Sequence, residues 1–316
     1  MNRLRFLKFR RRPRPPRPPF SRLCRIAGGL ALAATVVGPF RALFVEPRRG
    51  PVVTRYAVTP TGWPSGRRLR IVALADIHAA WPHVPRDRVR RIVDRANGLG
   101  GDVVVLLGDN VGDHLGAGFR AVGHRATAAE LGRLSAPGGV WAVLGDHDWK
   151  QDEAPSARGA LPVEAGEAMA AAGIRVLHNG AGLAEAPGGP VWLGGLGCQR
   201  TPNPHGGIGL DDVAAVAAAV PDDGRPAILL MHQPDAFPDV PPRFGLTLCG
   251  HTHGGQVRLG SWIPYVPSRF GTRYARGHYR EDRRHLIVSS GIGCSGLPIR
   301  HGVPPEIVVV DVGGAQ

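Results

Sequence analysis

Two histidines stand two residues apart in Leu248-Cys249-Gly250-His251-Thr252-His253-Gly254-Gly255-Gln256. An apolar run, 245–249, precedes them and reads as a buried strand. Glycines follow and turn the chain. Imidazoles raised on a loop at a strand end suit metal ligation or proton transfer, although two solvated loop histidines would share that spacing. The arrangement recurs along the chain. Apolar runs end in Asp76-Ile77-His78, Gly108-Asp109-Asn110, Gly145-Asp146-His147-Asp148 and Met231-His232. Carboxylate oxygen and neutral imidazole nitrogen together form a donor set for Mn, Fe or Zn. Five strand ends carrying such donors are hard to explain by folding alone.

The elements that must carry these residues follow from hydropathy. Apolar runs at 69–75, 103–107, 140–144 and 174–177 predict strands. Between them, 85–99, 127–134 and 163–172 have helical spacing, with Val89, Ile92, Val93 and Ala96 on one face of the first. That βαβαβαβ pattern argues for a mostly parallel sheet covered by helices. Strands then crowd at 191–196, 227–231, 246–249, 286–289 and 307–310, with one helix at 211–220 and Asp211 as its N-cap. Two packed sheets sharing one core fit this order.

The chain has 316 residues, 43% of them hydrophobic, enough for one large or two modest domains. Its formal charge of +14 is uneven. Ten positive charges and no acid fall in the first 25 residues, and removing those ten leaves +4. The basicity therefore belongs to a tail and does not make the domain a nucleic-acid binder. Cys24, Cys198, Cys249 and Cys294 lack any C-x-x-C spacing and read as free thiols, buried where they adjoin apolar runs.

Residues 1–22 form a basic, Pro-rich tail expected to be disordered. The stretch 23–45 is apolar apart from Arg25 and Arg41, with an uncharged core of 15 residues at 26–40. A signal anchor, a cleaved signal peptide and a helix lying in the membrane surface all fit. Without a small-x-small cleavage site after the run, an uncleaved anchor is the favoured expectation. It would place the protein at a bacterial inner membrane with its catalytic domain on the periplasmic side, a side that Arg41, Arg48 and Arg49 weaken. Residues 46–68 then read as a linker, with a short strand at 52–58, and the catalytic domain as 69–312.

In this order the motifs resemble the calcineurin-like metallophosphoesterases. The finer resemblance is to a membrane-associated bacterial branch whose members carry GHTHGGQ and then S-G-x-G…G-L-P-x-R…P-P-E-I. Residues 289–307 here read SSGIGCSGLPIRHGVPPEI. The resemblance covers roughly 70–312. It implies an α/β fold, a four-layer αββα sandwich of two mixed sheets flanked by helices. It also implies two divalent cations (Mn, Fe or Zn), one held by Asp76, His78, Asp109 and His253, the other by Asp109, Asp146, His232 and His251. Asp109 then bridges them, and a hydroxide shared by the metals attacks phosphorus. His147 serves the leaving group, and Asp148 fixes its tautomer. Asp146 departs from the family, which carries Asn there. The extra carboxylate brings the cluster near neutrality and weakens its pull on a phosphate. Arg200, Arg269 and Arg300 are candidates to compensate, with Arg200 and Arg300 as substrate-binding residues.

The expected activity is dinuclear hydrolysis of phosphoester or pyrophosphate bonds. The substrate is a phosphorylated small molecule or lipid, UDP-2,3-diacylglucosamine being one candidate that similar proteins cleave. A general periplasmic phosphodiesterase or phosphatase is the first alternative, and a non-catalytic metal-binding membrane protein the second. The tail has only Phe6, Phe9 and Phe20 for base stacking, so no specific nucleic acid is expected. The expected state is a monomer attached to a membrane through its N-terminus.

Overall fold

Ile71 and Ala73 of strand β2 (Leu69–Leu74) pack into one apolar cluster, and Val72 and Leu74 into another. Successive strand residues point to opposite faces, so a strand that buries both must lie inside a layered structure. The continuous apolar runs in the sequence have this origin. The structure, a computed structural model, describes residues 24–25, 27–29, 33–112, 119–150, 163–203 and 206–314. The basic tail at 1–22 lies outside them, as do parts of the 23–45 segment.

One sheet has the order β1-β14-β2-β4-β6-β7. Its strands are β1 (Val52–Val58), β2, β4 (Val103–Leu106), β6 (Val140–Ala142), β7 (Arg175–Val176) and β14 (Glu306–Val312). All neighbours pair parallel except β14 with β2. The other sheet runs β12-β13-β11-β10-β9-β8. It comprises β8 (Gly180–Ala186), β9 (Gly189–Gly195), β10 (Ala227–Leu230), β11 (Phe244–Cys249), β12 (Gly277–Glu281) and β13 (Arg284–Val288). Its inner pairs are parallel and its two outer pairs antiparallel. A small ribbon pairs β3 (Ala80–Trp81) with β5 (Arg120–Ala121).

Three cores define the layers. Ile71, Val105 and Leu107 from one sheet meet Leu193, Leu230 and Leu248 from the other in a core between the sheets. Outside the first sheet, Val72 and Leu106 pack with helices α1 (Arg86–Asn97), α2 (His124–Leu131) and α4 (Glu164–Ala171). Outside the second, Leu229 and Val288 pack with Val216 of α5 (Val213–Ala219) and with Phe237. The result is the expected α/β/β/α arrangement of two mixed sheets flanked by helices. A short helix, α3 (Asp146–Lys150), follows β6.

Several sequence expectations need correction. Asp212, not Asp211, caps α5, accepting from Ala215 N at 2.8 Å. β8 was not foreseen because Gly-Ala-Gly-Leu-Ala-Glu-Ala has no β-branched residue; its pairing with β9 makes it a strand. Residues 46–68 do more than link. β1 pairs along seven residues with β14, and Thr54 Oγ1 donates to Glu306 Oε2 at 2.6 Å. Buried Arg88 on α1 donates to the carbonyls of Pro47 and Arg49. The strand itself was foreseen at 52–58, but the exposed positions Val52, Arg55 and Ala57 made it read as part of a linker.

The chain divides into two compact units, 1–41 and 42–316. Within the first, Ala33–Val37 and Gly38–Phe40 are helical turns. Among the described residues no helix is long and apolar enough to cross a membrane. Cys198, Cys249 and Cys294 are buried free thiols and Cys24 an exposed one.

Candidate metal centre

Parallel strands put their carboxyl ends on one side of a sheet, and the two sheets here turn those ends toward a common edge. Asp76 and His78 follow β2, Asp109 follows β4, and Asp146 follows β6. From the other sheet, His232 follows β10, while His251 and His253 follow β11. The loops are tied across: Asp76 N donates to Gly108 O, His78 N to Asp109 O, and Gly250 N to His232 O, each at 3.0 Å. Asp76, His78, Asp109, His251 and His253 all have left-handed backbones, with φ between 43° and 68°. Such conformations cost about 1–3 kcal/mol each and persist where the surroundings over-determine them. Glycine is needed beside them. A Cβ on Gly145 would collide with Asp109 Oδ1, and one on Gly250 with Asp76 Oδ2.

The seven residues are buried and form two adjoining donor sets. Asp109, Asp146, His232 and His251 make one, and Asp76, His78 and His253 the other; within each, ligand atoms lie within 4.8 Å of one another. Asp109 Oδ2 is 3.2 Å from His232 Nε2 and 3.5 Å from His78 Nε2, so one oxygen faces both sets. His253 Nε2 lies 3.4 Å from Asp76 Oδ1, and His251 Nδ1 3.4 Å from Asp146 Oδ1. His232 Nδ1 donates to Leu107 O at 2.6 Å, which turns Nε2 toward Asp109 and Asp146.

Protonation follows this crowding. Burial, reinforced by Asp109, pushes Asp76 up to about 7. Burial also holds His253 well below the usual imidazole range, and the Arg300 guanidinium adds to the effect. His251 is lowered, again first by burial. At Asp146 burial opposes ionisation, but the bonds with His232 and His251 outweigh it and the carboxyl is held low. His232 is raised well above its usual value; the charges of Asp109, Asp146 and Asp76 overcome burial. Three buried carboxylates and four imidazoles, split into two sets around one shared oxygen, fit a pair of divalent cations.

Around this set the structure redistributes the predicted roles. His147 lies at the rim, with Nε2 3.2 Å from Ser295 Oγ, 3.9 Å from Asp146 Oδ2 and 4.0 Å from Asp109 Oδ2. Asp148 does not hold the His147 ring. Its carboxylate accepts from the backbone N–H groups of Asp109 (2.8 Å), Asn110 (2.9 Å) and Gly145 (3.0 Å), fixing two ligand loops together. Arg200 lines the cleft, with Nη1 3.4 Å from His251 Nε2. Arg300 does not reach the cleft. It is fully buried, donating to Gly293 O, Val303 O and Ser290 O, and it contacts His253 Nδ1 at 3.2 Å. It packs against the His253 ring and is closed off from the cleft. Arg269 is exposed and bound to Asp235. Gln256 holds the 295–297 loop, accepting from Ser295 N at 2.6 Å and donating to Ser295 O at 3.0 Å.

Two neighbours escaped the sequence reading. Lys150 Nζ lies 2.7 Å from Asp146 Oδ2, one helical turn on. Gln233 Nε2 stands 3.5 Å from Asp146 Oδ1. The i,i+4 spacing of Asp146 and Lys150 was the available signal, hidden because no helix was predicted directly after β6. A cleft of about 700 Å³ opens on the centre, lined by His147, Lys150 and Arg200 on one side and by Tyr265, Leu297 and Ile299 on another.

This fold and donor set define a metal-dependent phosphohydrolase. The calcineurin-like phosphoesterase family profile matches residues 69–255, and the chain belongs to that family. It is similar to the uncharacterized metallophosphoesterase YkuE of Bacillus subtilis, 28% identical over 76% of this chain and 77% of that protein. The phosphodiesterase YaeI of Escherichia coli is 27% identical over 77% and 82% of the two chains. A Danio rerio transmembrane protein with metallophosphoesterase domain is 29% identical over 76% of this chain, which spans about half (52%) of its length.

Proposed function

We propose that the protein is a dinuclear phosphodiesterase acting on a phosphodiester with one apolar arm. The observation that carries the reading is Asp109 Oδ2 facing both donor sets, beside a cleft that Asp146, His251 and His253 line. Asp76, His78 and His253 would hold one cation, Asp146, His232 and His251 the other, with Asp109 common to both. Bound cations would supply Lewis acidity at the phosphoryl oxygens and an acidified water near neutral pH. His147 Nε2 faces the cleft beside Asp109 and Asp146, where it can pass a proton to a departing oxygen. Arg200, which lines the cleft, offers positive charge to the phosphate.

The apolar arm is supported by Leu297 and Tyr265, 59% and 68% exposed beside the cleft. The name of the Escherichia coli relative supports a diester. UDP-2,3-diacylglucosamine is not part of the proposal, since none of the relatives above is named for it. Residues 23–45 would hold the protein at a membrane; support comes from their apolar run and from the transmembrane name of the Danio rerio relative.

The test uses full-length protein loaded with Mn, Zn or Fe and a series of alkyl p-nitrophenyl phosphates. Metal-dependent release of p-nitrophenolate is expected, with kcat/KM rising from methyl to octyl. No metal-dependent turnover of any diester would overturn the function. Turnover independent of chain length would overturn the apolar arm alone.

A further inference from the structure

Asp146 has two oxygens in different surroundings. Oδ1 points inward, 3.4 Å from His251 Nδ1 and 3.6 Å from His232 Nε2. Oδ2 points toward the rim and meets Lys150 Nζ at 2.7 Å. The carboxylate is nearly buried, with 6% of the side chain exposed, while the lysine side chain is half exposed and lines the cleft. Both residues lie on α3, an i,i+4 pair with the acid first, the favourable order on a helix. The centre already contains the carboxylates of Asp76 and Asp109, so a third charge at its mouth would repel an incoming phosphate. Of the arginines that the sequence offered as compensation, Arg200 alone lines the cleft. Arg300 is spent on backbone carbonyls and His253, Arg269 on Asp235, and Arg200 stands at His251.

We propose that Lys150 is a positioning residue that neutralises the outer oxygen of Asp146, leaving one oxygen for a cation and keeping the cleft attractive to phosphate. The Asp146–Lys150 pair then acts as a single neutral ligand. Its value depends on the carboxylate: with a neutral amide at 146 there is no charge to cancel, and Lys150 becomes dispensable. The inference rests on the metal-centre reading above, but it is read through binding and so survives independently of turnover.

The experiment is a double-mutant cycle on the full chain with Lys150→Gln, Asp146→Asn and both together. Calorimetry measures Mn²⁺ affinity and stoichiometry, then the affinity of the Mn-loaded protein for inorganic phosphate. Thermal unfolding checks that each variant folds. Lys150→Gln should tighten the weaker Mn²⁺ site several-fold and weaken phosphate binding about tenfold. The same substitution in the Asp146→Asn background should change phosphate binding less than about twofold. Lys150→Arg should restore wild-type behaviour. Equal losses in both backgrounds would overturn the proposal and make Lys150 a direct phosphate contact. No loss in either would also overturn it, leaving an ordinary exposed helix pair. Should the wild type bind two Mn²⁺ and phosphate with this coupling yet hydrolyse no ester, the proposed function fails and the pairing stands.

Discussion

One carboxylate oxygen is common to the two donor sets. Asp109 Oδ2 lies against His78 and His232, while Oδ1 is tied by His147 N at 3.0 Å. Asp109→Ala therefore removes a donor from both sets. We expect bound metal to fall from two ions to at most one, with loss of turnover, checked by elemental analysis and a diesterase assay. A variant retaining both ions and normal turnover would contradict the shared role. His147 differs, since it lies at the rim with Nε2 about equally near Asp109 and Asp146, 4.0 and 3.9 Å away. His147→Ala should keep both metals and lose about 10²-fold in kcat on a poor leaving group, since general acid catalysis contributes roughly 10²–10⁴. The loss on p-nitrophenolate should be smaller, because that oxygen needs little protonation to depart. Equal losses on both substrates would instead assign His147 to phosphate positioning. The seven residues that the structure brings together were legible in the sequence because each follows an apolar run. The roles of Asp148 and Arg300 were not, because both depend on backbone groups brought in by other loops: the N–H groups of Asp109 and Asn110 for one, the carbonyls of Ser290 and Gly293 for the other.

Elements hold these residues only as well as they hold one another. Helices α1 and α2 are joined by buried Glu130, which accepts from Arg86 Nε at 2.7 Å and from Arg90 Nε and Nη2 at 3.1 and 2.9 Å. The bonds from Arg90 lead those that hold the Glu130 carboxyl down to about 2, against a burial penalty that would raise it. A carboxyl lowered by folding stabilises the folded state above its unfolded value, about 4.3. That contribution is lost as pH falls toward 2. The stability difference between wild type and Glu130→Gln, measured in urea, should be constant from pH 8 to 5 and narrow between about pH 4.5 and 2. A difference unchanged at pH 2.5 would show that the charge of Glu130 contributes nothing. Because both arginines are half exposed, added salt should shrink the difference as well. Such helix–helix links were invisible in the sequence, whereas α1 itself was plain from Val89, Ile92, Val93 and Ala96, all buried as their spacing required. β8 marks the opposite limit, a strand made by its partner β9 against the preference of its own residues.

At the scale of the whole molecule the question is where the catalytic domain begins. Hydropathy placed its start at 69, because β2 is the first run buried on both faces. Edge strand β1 carries a mixed pattern, with Val58 buried, Val53, Thr54 and Tyr56 partly so, and Arg55 in solvent. Only its seven-residue pairing with β14 shows that it belongs. β14 also leads back to the centre: Glu306 N donates to Gly291 O, Glu306 Oε1 accepts from Ser290 N at 2.6 Å, and Ser290 O accepts from Arg300. Cutting the chain at residue 66 would uncover β14 and the ladder that supports His253. Burying a Val side chain is worth about 1.5–3 kcal/mol, so losing Val58 with part of Val53 and Tyr56 should cost about 3 kcal/mol. For a domain of this size that is roughly 6–12 °C in Tm. A protein starting at Ala42 should melt like the full chain and bind two metal ions. One starting at Gly66 should melt lower by that margin and bind metal more weakly, the loss falling on the set with Asp76, His78 and His253. Thermal scans with and without Mn²⁺ compare the two. Equal melting temperatures would show that β1 packs on the sheet without supporting it, and the start at 69 would then describe the stable unit after all.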